Sequence, residues 1–231
     1  MVRLNAFSSS VSSLKDSNMA YECVRPCIVQ IHSNGSYGAG TIWSMDEEYI
    51  TIITNKHVLE NWSTGDNHYV IFYDGAVTDA ELFGTSEDTD VGIIRVSVDE
   101  IPYFELIHYR SVNYDMDIFN CLTVEDEIIT IGSANAVKKN TGDEKILLYG
   151  ENSRIANEVY SGVIVSTDIY VTKLDKNMIY CYCYARGGMS GGGVFDSYGH
   201  YIGMLTGGTQ DNEAVAIRLP DVIDAVNEII S

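Results

Sequence analysis

The sequence predicts an all-β protein of two barrels or sandwiches, closed by one C-terminal α-helix. Three observations predict it. Short runs rich in Ile, Val, Tyr and Thr recur at close spacing, with turn pairs such as Asn34-Gly35, Asp46-Glu47 and Asp74-Gly75 between them. The runs fall into two batches of similar size, which suits two sheets each folded on itself. Long βαβ units are absent, which argues against a doubly wound parallel sheet.

In order along the chain, residues 1–20 read as a flexible arm, serine-rich over 8–17, and 19–25 as a short helix stopped by Pro26. The first batch of strands is expected at 27–31, 40–43, 49–54, 69–73, 80–83 and 91–96. A less regular stretch, 97–126, contains Pro102 and several acids and reads as the connection between halves. The second batch is expected at 127–131, 145–149, 162–166, 178–184, 192–195, 201–205 and 214–218. Residues 220–230 carry the helical pattern. Val222, Ile223, Val226, Ile229 and Ile230 share a face, Pro220 suits a first helical position, and Asp221 and Asp224 suit the positive end of the dipole.

Composition narrows the function. Apolar residues make up 45% of the 231 and charged residues 20%, ordinary for a globular protein. Fourteen Lys and Arg against 33 Asp and Glu give a net charge of −19. So acidic a surface repels phosphate backbones and anionic lipid, which disfavours nucleic-acid or membrane partners. No apolar run approaches the roughly 20 residues that span a bilayer. The first residues lack a signal-peptide core, so a cytoplasmic location is expected, or a secreted one if a targeting segment is missing from this sequence. The cysteines Cys23, Cys27, Cys121, Cys181 and Cys183 are odd in number and scattered, which favours free thiols in a reducing compartment. A zinc site built from Cys23, Cys27, Cys181 and Cys183 would need spacings unlike the usual C-x₂-C, so buried thiols are the expectation and no metal is assigned.

Three segments carry chemistry. Thr54-Asn55-Lys56-His57-Val58 follows an apolar strand, Thr89-Asp90-Val91-Gly92 leads into another, and Gly187-Gly188-Met189-Ser190-Gly191-Gly192-Gly193 puts a serine inside a glycine run. Taken singly, each has a structural explanation: a buried histidine, a turn-capping acid, a turn with φ > 0 positions. Jointly they supply what a weak hydroxyl nucleophile needs, an adjacent base and a third group that fixes the base's tautomer. Ser190 is then the nucleophile, His57 the base and Asp90 its orienting acid, with Asp88 a nearby rival for Asp90. The glycines let Gly188 and Ser190 aim backbone N–H groups at a developing oxyanion. Small residues at Gly191 and Gly192 are expected to leave room for a peptide alongside.

Gly188-Met189-Ser190-Gly191-Gly192 also satisfies the G-x-S-x-G pattern of α/β-hydrolases. There the histidine follows the serine. Here only His200 does, with no room between for the acid-bearing strand and helix, and that reading fails on chain order.

The three segments, in this order, resemble the trypsin-like serine proteases, most closely the bacterial HtrA/Deg branch. Gly38-Ala39-Gly40-Thr41-Ile42 is similar to the family's first hairpin, Ser161-Gly162-Val163-Ile164 to a second-barrel strand, and Val215-Ala216-Ile217-Arg218-Leu219-Pro220 to the lead into the closing helix. The resemblance implies two six-stranded antiparallel β-barrels, over 21–112 and 113–231, with a peptide-cutting cleft between them. It implies His57, Asp90 and Ser190 as catalytic triad, Gly188 and Ser190 as oxyanion hole, and no cofactor. Thr206, Gly207 and Gly208 would lie on the edge that pairs with a polypeptide substrate, and Tyr184 at the base of the specificity pocket.

Four departures from the family pattern follow. Met189 stands where an Asn or Asp is usual, so activation by a new N-terminal amine pairing with that acid is not expected. Gly193 replaces a proline, which should loosen the loop. Tyr184 cannot select Arg or Lys, and a small or medium apolar P1 residue is expected instead. No PDZ module is expected after the protease unit. Beside the active endopeptidase stands one alternative, a catalytically silent scaffold of the same fold that binds a peptide or protein partner. The sequence leaves the oligomeric state open.

Overall fold

The computed structural model describes residues 23–101, 106–132, 158–209 and 212–231. The serine-rich arm, most of the first expected helix and the strand expected at 145–149 lie outside them. The first half is one antiparallel sheet of seven strands: β1 (Ile28–Ser33), β2 (Ser36–Met45), β3 (Tyr49–Thr54), β4 (His68–Ile71), β5 (Val77–Thr78), β6 (Glu81–Thr85) and β7 (Gly92–Ser97). Their order is β5-β4-β1-β2-β3-β7-β6, a curved half-barrel. The second half, β8 (Glu127–Gly132), β9 (Glu158–Val171), β10 (Lys176–Tyr182), β11 (Gly193–Asp196), β12 (Tyr201–Gly208) and β13 (Glu213–Arg218), closes as a six-stranded barrel in the order β10-β13-β12-β11-β8-β9. The first half thus differs from a closed six-stranded barrel. A two-residue β5 extends the β4 edge, while β6 bends at a bulge between Leu82 and Gly84 and passes under the C-terminal helix.

Strand alternation explains the layering. On β3 and β7, Ile50, Ile52, Ile94 and Val96 point into the first half's own core. Their neighbours Ile53, Val91 and Ile93 point the other way, into a core shared with Phe195, Met204 and Ile217 of the barrel. Both faces are covered, so these strands read as continuous apolar runs rather than as alternating ones. Strand β2 begins earlier than expected because Asn34 (φ 46°) and Gly35 (φ 97°) form a two-residue hairpin turn, with Ser33 paired to Ser36. Gly40, the first residue of the expected strand, lies well inside β2 and is required there. A Cβ there would lie 2.7 Å from Ile31 and 2.8 Å from Ile52 side-chain atoms.

Besides short 3₁₀ turns, two α-helices lie wholly within the described residues. Helix α1 (Met116–Asn120) falls in the stretch expected to be irregular, and it starts where the Asp115 side chain accepts the Asp117 and Ile118 N–H groups. Helix α2 (Leu219–Ile230) buries Leu219, Val222, Ala225 and Val226 against residues of both halves. Leu219, Val222 and Val226 each contribute about 1.5–3 kcal/mol if fully buried. Val222 and Val226 of the expected face, joined by Leu219 and Ala225, therefore fasten the two halves together, with Ile223 and Ile229 partly buried beside them and Ile230, also expected there, exposed.

Candidate active site

His57 lies in a 3₁₀ turn, Lys56–Leu59, directly after β3. Asp90 stands two residues before β7, the neighbour of β3 in the sheet. That pairing brings the two side chains together. Asp90 Oδ2 accepts the His57 Nδ1 proton at 2.8 Å, and Asp90 Oδ1 accepts the His57 backbone N–H at 2.9 Å. Asp88 is exposed and takes no part in this contact, so the sequence's rival for the acid drops out.

The electrostatics follow from these contacts. Burial raises the Asp90 carboxyl, but hydrogen bonds from the His57 ring and backbone, the imidazolium charge and the Thr206 hydroxyl outweigh it, and the net shift is downward. For His57 the Asp90 hydrogen bond is the largest influence and raises it. Burial opposes, the charges of Asp90 and Glu60 add, and the ring ends above its ordinary value. With Nδ1–H committed to Asp90, Nε2 is left as the basic nitrogen.

Ser190 comes from the barrel. Its carbonyl accepts the Ala39 N–H at 2.8 Å, which ties the serine loop to β2 of the first half. A Cβ on Gly38 would meet Val58 at 2.6 Å and the Ser190 oxygen at 3.1 Å, so the residue after His57 and the serine backbone flank one glycine. Gly188 has φ 94°, a left-handed backbone conformation that favours glycine. Among the described residues, neither the Gly188 nor the Ser190 N–H donates a backbone hydrogen bond.

Met189 is fully buried in the barrel core, its N–H bonded to the Arg186 carbonyl at 3.1 Å and its carbonyl to the Gly192 N–H at 3.0 Å. An apolar anchor therefore holds the turn where the family usually has a polar side chain. Gly191 and Gly192 correct the sequence reading. They do not make room for a peptide but are buried against protein backbone, where a Cβ would sit 2.1 Å from the Ala39 oxygen and 2.2 Å from the Ile131 oxygen. Gly193, expected to loosen the loop, is the first residue of β11 and pairs with Met204 and Ile131.

The remaining expected site residues divide. Gly207 and Gly208 pair with Val215 and Ala214 of β13, while β11 begins opposite Met204, so among the described residues their other edge has no paired strand. Thr206 sits at a bulge that turns its side chain onto Asp90, donating to Oδ2 at 2.8 Å. Tyr184 is half-buried with its ring 4.7 Å from that of Tyr160. Asn55, which carries no role in the sequence reading, is buried and donates to the Asp90 carbonyl at 3.0 Å. Its signal was available: a buried amide inside the histidine motif needs a partner. All five cysteines are free. Cys27 lies in the core between the halves and Cys181 and Cys183 inside the barrel, so the four thiols weighed for zinc are not gathered.

Comparison with known proteins accords with this geometry. The chain is 23% identical over 196 residues to the serine endoprotease DegS of Haemophilus influenzae, covering 84% of this chain and 48% of that one. It is 24% identical over 186 residues to the putative serine protease HhoB of Synechocystis sp., covering 79% and 37%. The chain thus spans about half or less of the length of these curated relatives. Among solved structures it is similar to a serine endoprotease from Yersinia pestis (TM-score 0.66, 20% identity, 92% and 66% covered). It is also similar to the HtrA-type protease AlgW with tripeptide (TM-score 0.70, 22% identity, 92% and 62% covered). The sequence model of the trypsin-like peptidase domain matches residues 38–204, a span that holds the His57, Asp90 and Ser190 segments, and the chain therefore belongs to the trypsin-like peptidase family.

Proposed function

We propose that the chain is a serine endopeptidase that hydrolyses polypeptides through an acyl-enzyme. The observation that carries this reading is the two-point contact between Asp90 and His57, which fixes the imidazole tautomer and leaves Nε2 as base. Nε2 takes the Ser190 proton as Oγ attacks the scissile carbonyl. The Gly188 and Ser190 N–H groups stabilise the oxyanion, and the imidazolium returns the proton to the leaving amine. Water then attacks the ester by the same base, restoring the serine. Gly207 and Gly208 support an extended substrate on the free edge of β12. The half-buried Tyr184 and Tyr160 rings fit a small or medium apolar P1 side chain. No cofactor enters.

A fluorophosphonate probe tests the reading. Labelling of the wild type that disappears in Ser190→Ala and falls sharply in His57→Ala supports catalysis. No labelling of any form would leave the silent scaffold as the function of this fold.

A further inference from the structure

The loop that carries Asp90 is also held by the C-terminal helix. Glu228, exposed in the last turn of α2, accepts the Ser86 hydroxyl on Oε2 at 2.6 Å and the Glu87 N–H on Oε1 at 3.0 Å. Ser86 itself is fully buried. Its Oγ accepts the Thr89 N–H at 3.2 Å, its N–H donates to the Val91 carbonyl at 2.9 Å, and its carbonyl accepts the Lys56 ammonium at 2.8 Å. Thr89 and Val91 flank Asp90 in the chain, and Lys56 precedes His57. One carboxylate on α2 is thereby connected, through one buried serine, to the backbone on both sides of Asp90 and to the histidine turn.

Helix stability does not account for Glu228. The helix is seated by its buried face, and a carboxylate in the last turn opposes the helix dipole. What holds the Glu228 carboxyl below the usual range is first the Ser86 hydrogen bond, then the Glu87 N–H, against a small opposing effect of burial, with the charges of Lys56 and Lys176 adding. The geometry points to Glu228 as a positioning residue that, through Ser86 and Glu87, sets the seat of Asp90 against His57. This rests on the catalytic pair proposed above. It adds that the pair's alignment is set from α2, outside the substrate cleft.

Two measurements on the intact chain test it. In steady-state peptide cleavage, Glu228→Ala lowers kcat by roughly tenfold with KM within about twofold, because small misplacements of catalytic groups act on the transition state. Glu228→Gln recovers most of the rate, since an amide can accept from the Glu87 N–H and donate to Ser86 Oγ. In NMR titration of the histidine rings, with His57 assigned by its loss in His57→Gln, the His57 midpoint falls in Glu228→Ala toward that of an ordinary imidazole. The groups facing that ring are Asp90 and Glu60, and both are retained in the variant. A variant that loses thermal stability but keeps the wild-type kcat and His57 midpoint overturns the inference. The NMR arm needs no turnover, so the inference stays decidable even if the wild type takes up no fluorophosphonate.

Discussion

Thr206 and His57 share one acceptor: each donates to Asp90 Oδ2 at 2.8 Å. The threonine comes from the barrel and the histidine from the half-barrel, so the carboxylate is clamped by both halves at once. A hydroxyl placed by the bulge between Leu205 and Gly207 in the β12–β13 pairing completes what the first half alone leaves open.

Removing that hydroxyl should therefore act on chemistry more than on binding. Thr206→Val is expected to lower kcat by roughly 10- to 100-fold, the range of one hydrogen bond to a charged group, while Thr206→Ser stays near wild type. Equal kcat in Thr206→Val and wild type would contradict the clamp.

The pH profile follows from the two shifted groups. His57 must be neutral to act as base, and its raised value moves the acid limb of kcat/KM above the ordinary imidazole range. Stability runs in two windows. The raised His57 contributes stability that is full below its unfolded value and is lost as pH rises through the folded one. The lowered Asp90 contributes stability present above the ordinary carboxylate range and lost as pH falls through its folded value. Thermal denaturation of Asp90→Asn against wild type across these windows checks both signs.

Met189 is expected to tolerate no return to the family's polar residue. Met189→Asp buries an unpaired carboxylate in the barrel core and should cost several kcal/mol, observed as lost folding or a sharply lower Tm. Met189→Ala should cost about 2–5 kcal/mol through the cavity it leaves, and loosen the oxyanion turn it anchors. Trimming the N-terminus should not activate the protein. A specific new N-terminus that raised activity many-fold would show that the turn is held some other way.

Tyr184 sets the expected specificity. A peptide library should show cleavage after small or medium apolar residues and none of the Lys or Arg preference that an acid at this position confers. Dominant cleavage after Lys or Arg would place the specificity pocket elsewhere than against the Tyr184 and Tyr160 rings.

The sequence by itself determined the two batches of strands and the helix that closes the chain. β3 falls at 49–54 as expected and α2 begins within a residue of the expected start, because continuous apolar runs and a single-face helical pattern are local signals. It also singled out His57, Asp90 and Ser190, since motif and chain order are written in the chain. Tertiary structure decided the rest. That Asp90 and not Asp88 meets the histidine depends on β3–β7 register. That Thr206 faces Asp90 depends on a bulge, and bulges arise from pairing between strands, which no local pattern encodes. The glycines beside Ser190 look alike in sequence. Only packing separates Gly188, half-buried with φ 94°, from the buried Gly191 and Gly192, which let the loop lie against Ala39 and Ile131. A side chain's type is a property of the chain, but its partner is fixed only when distant strands meet.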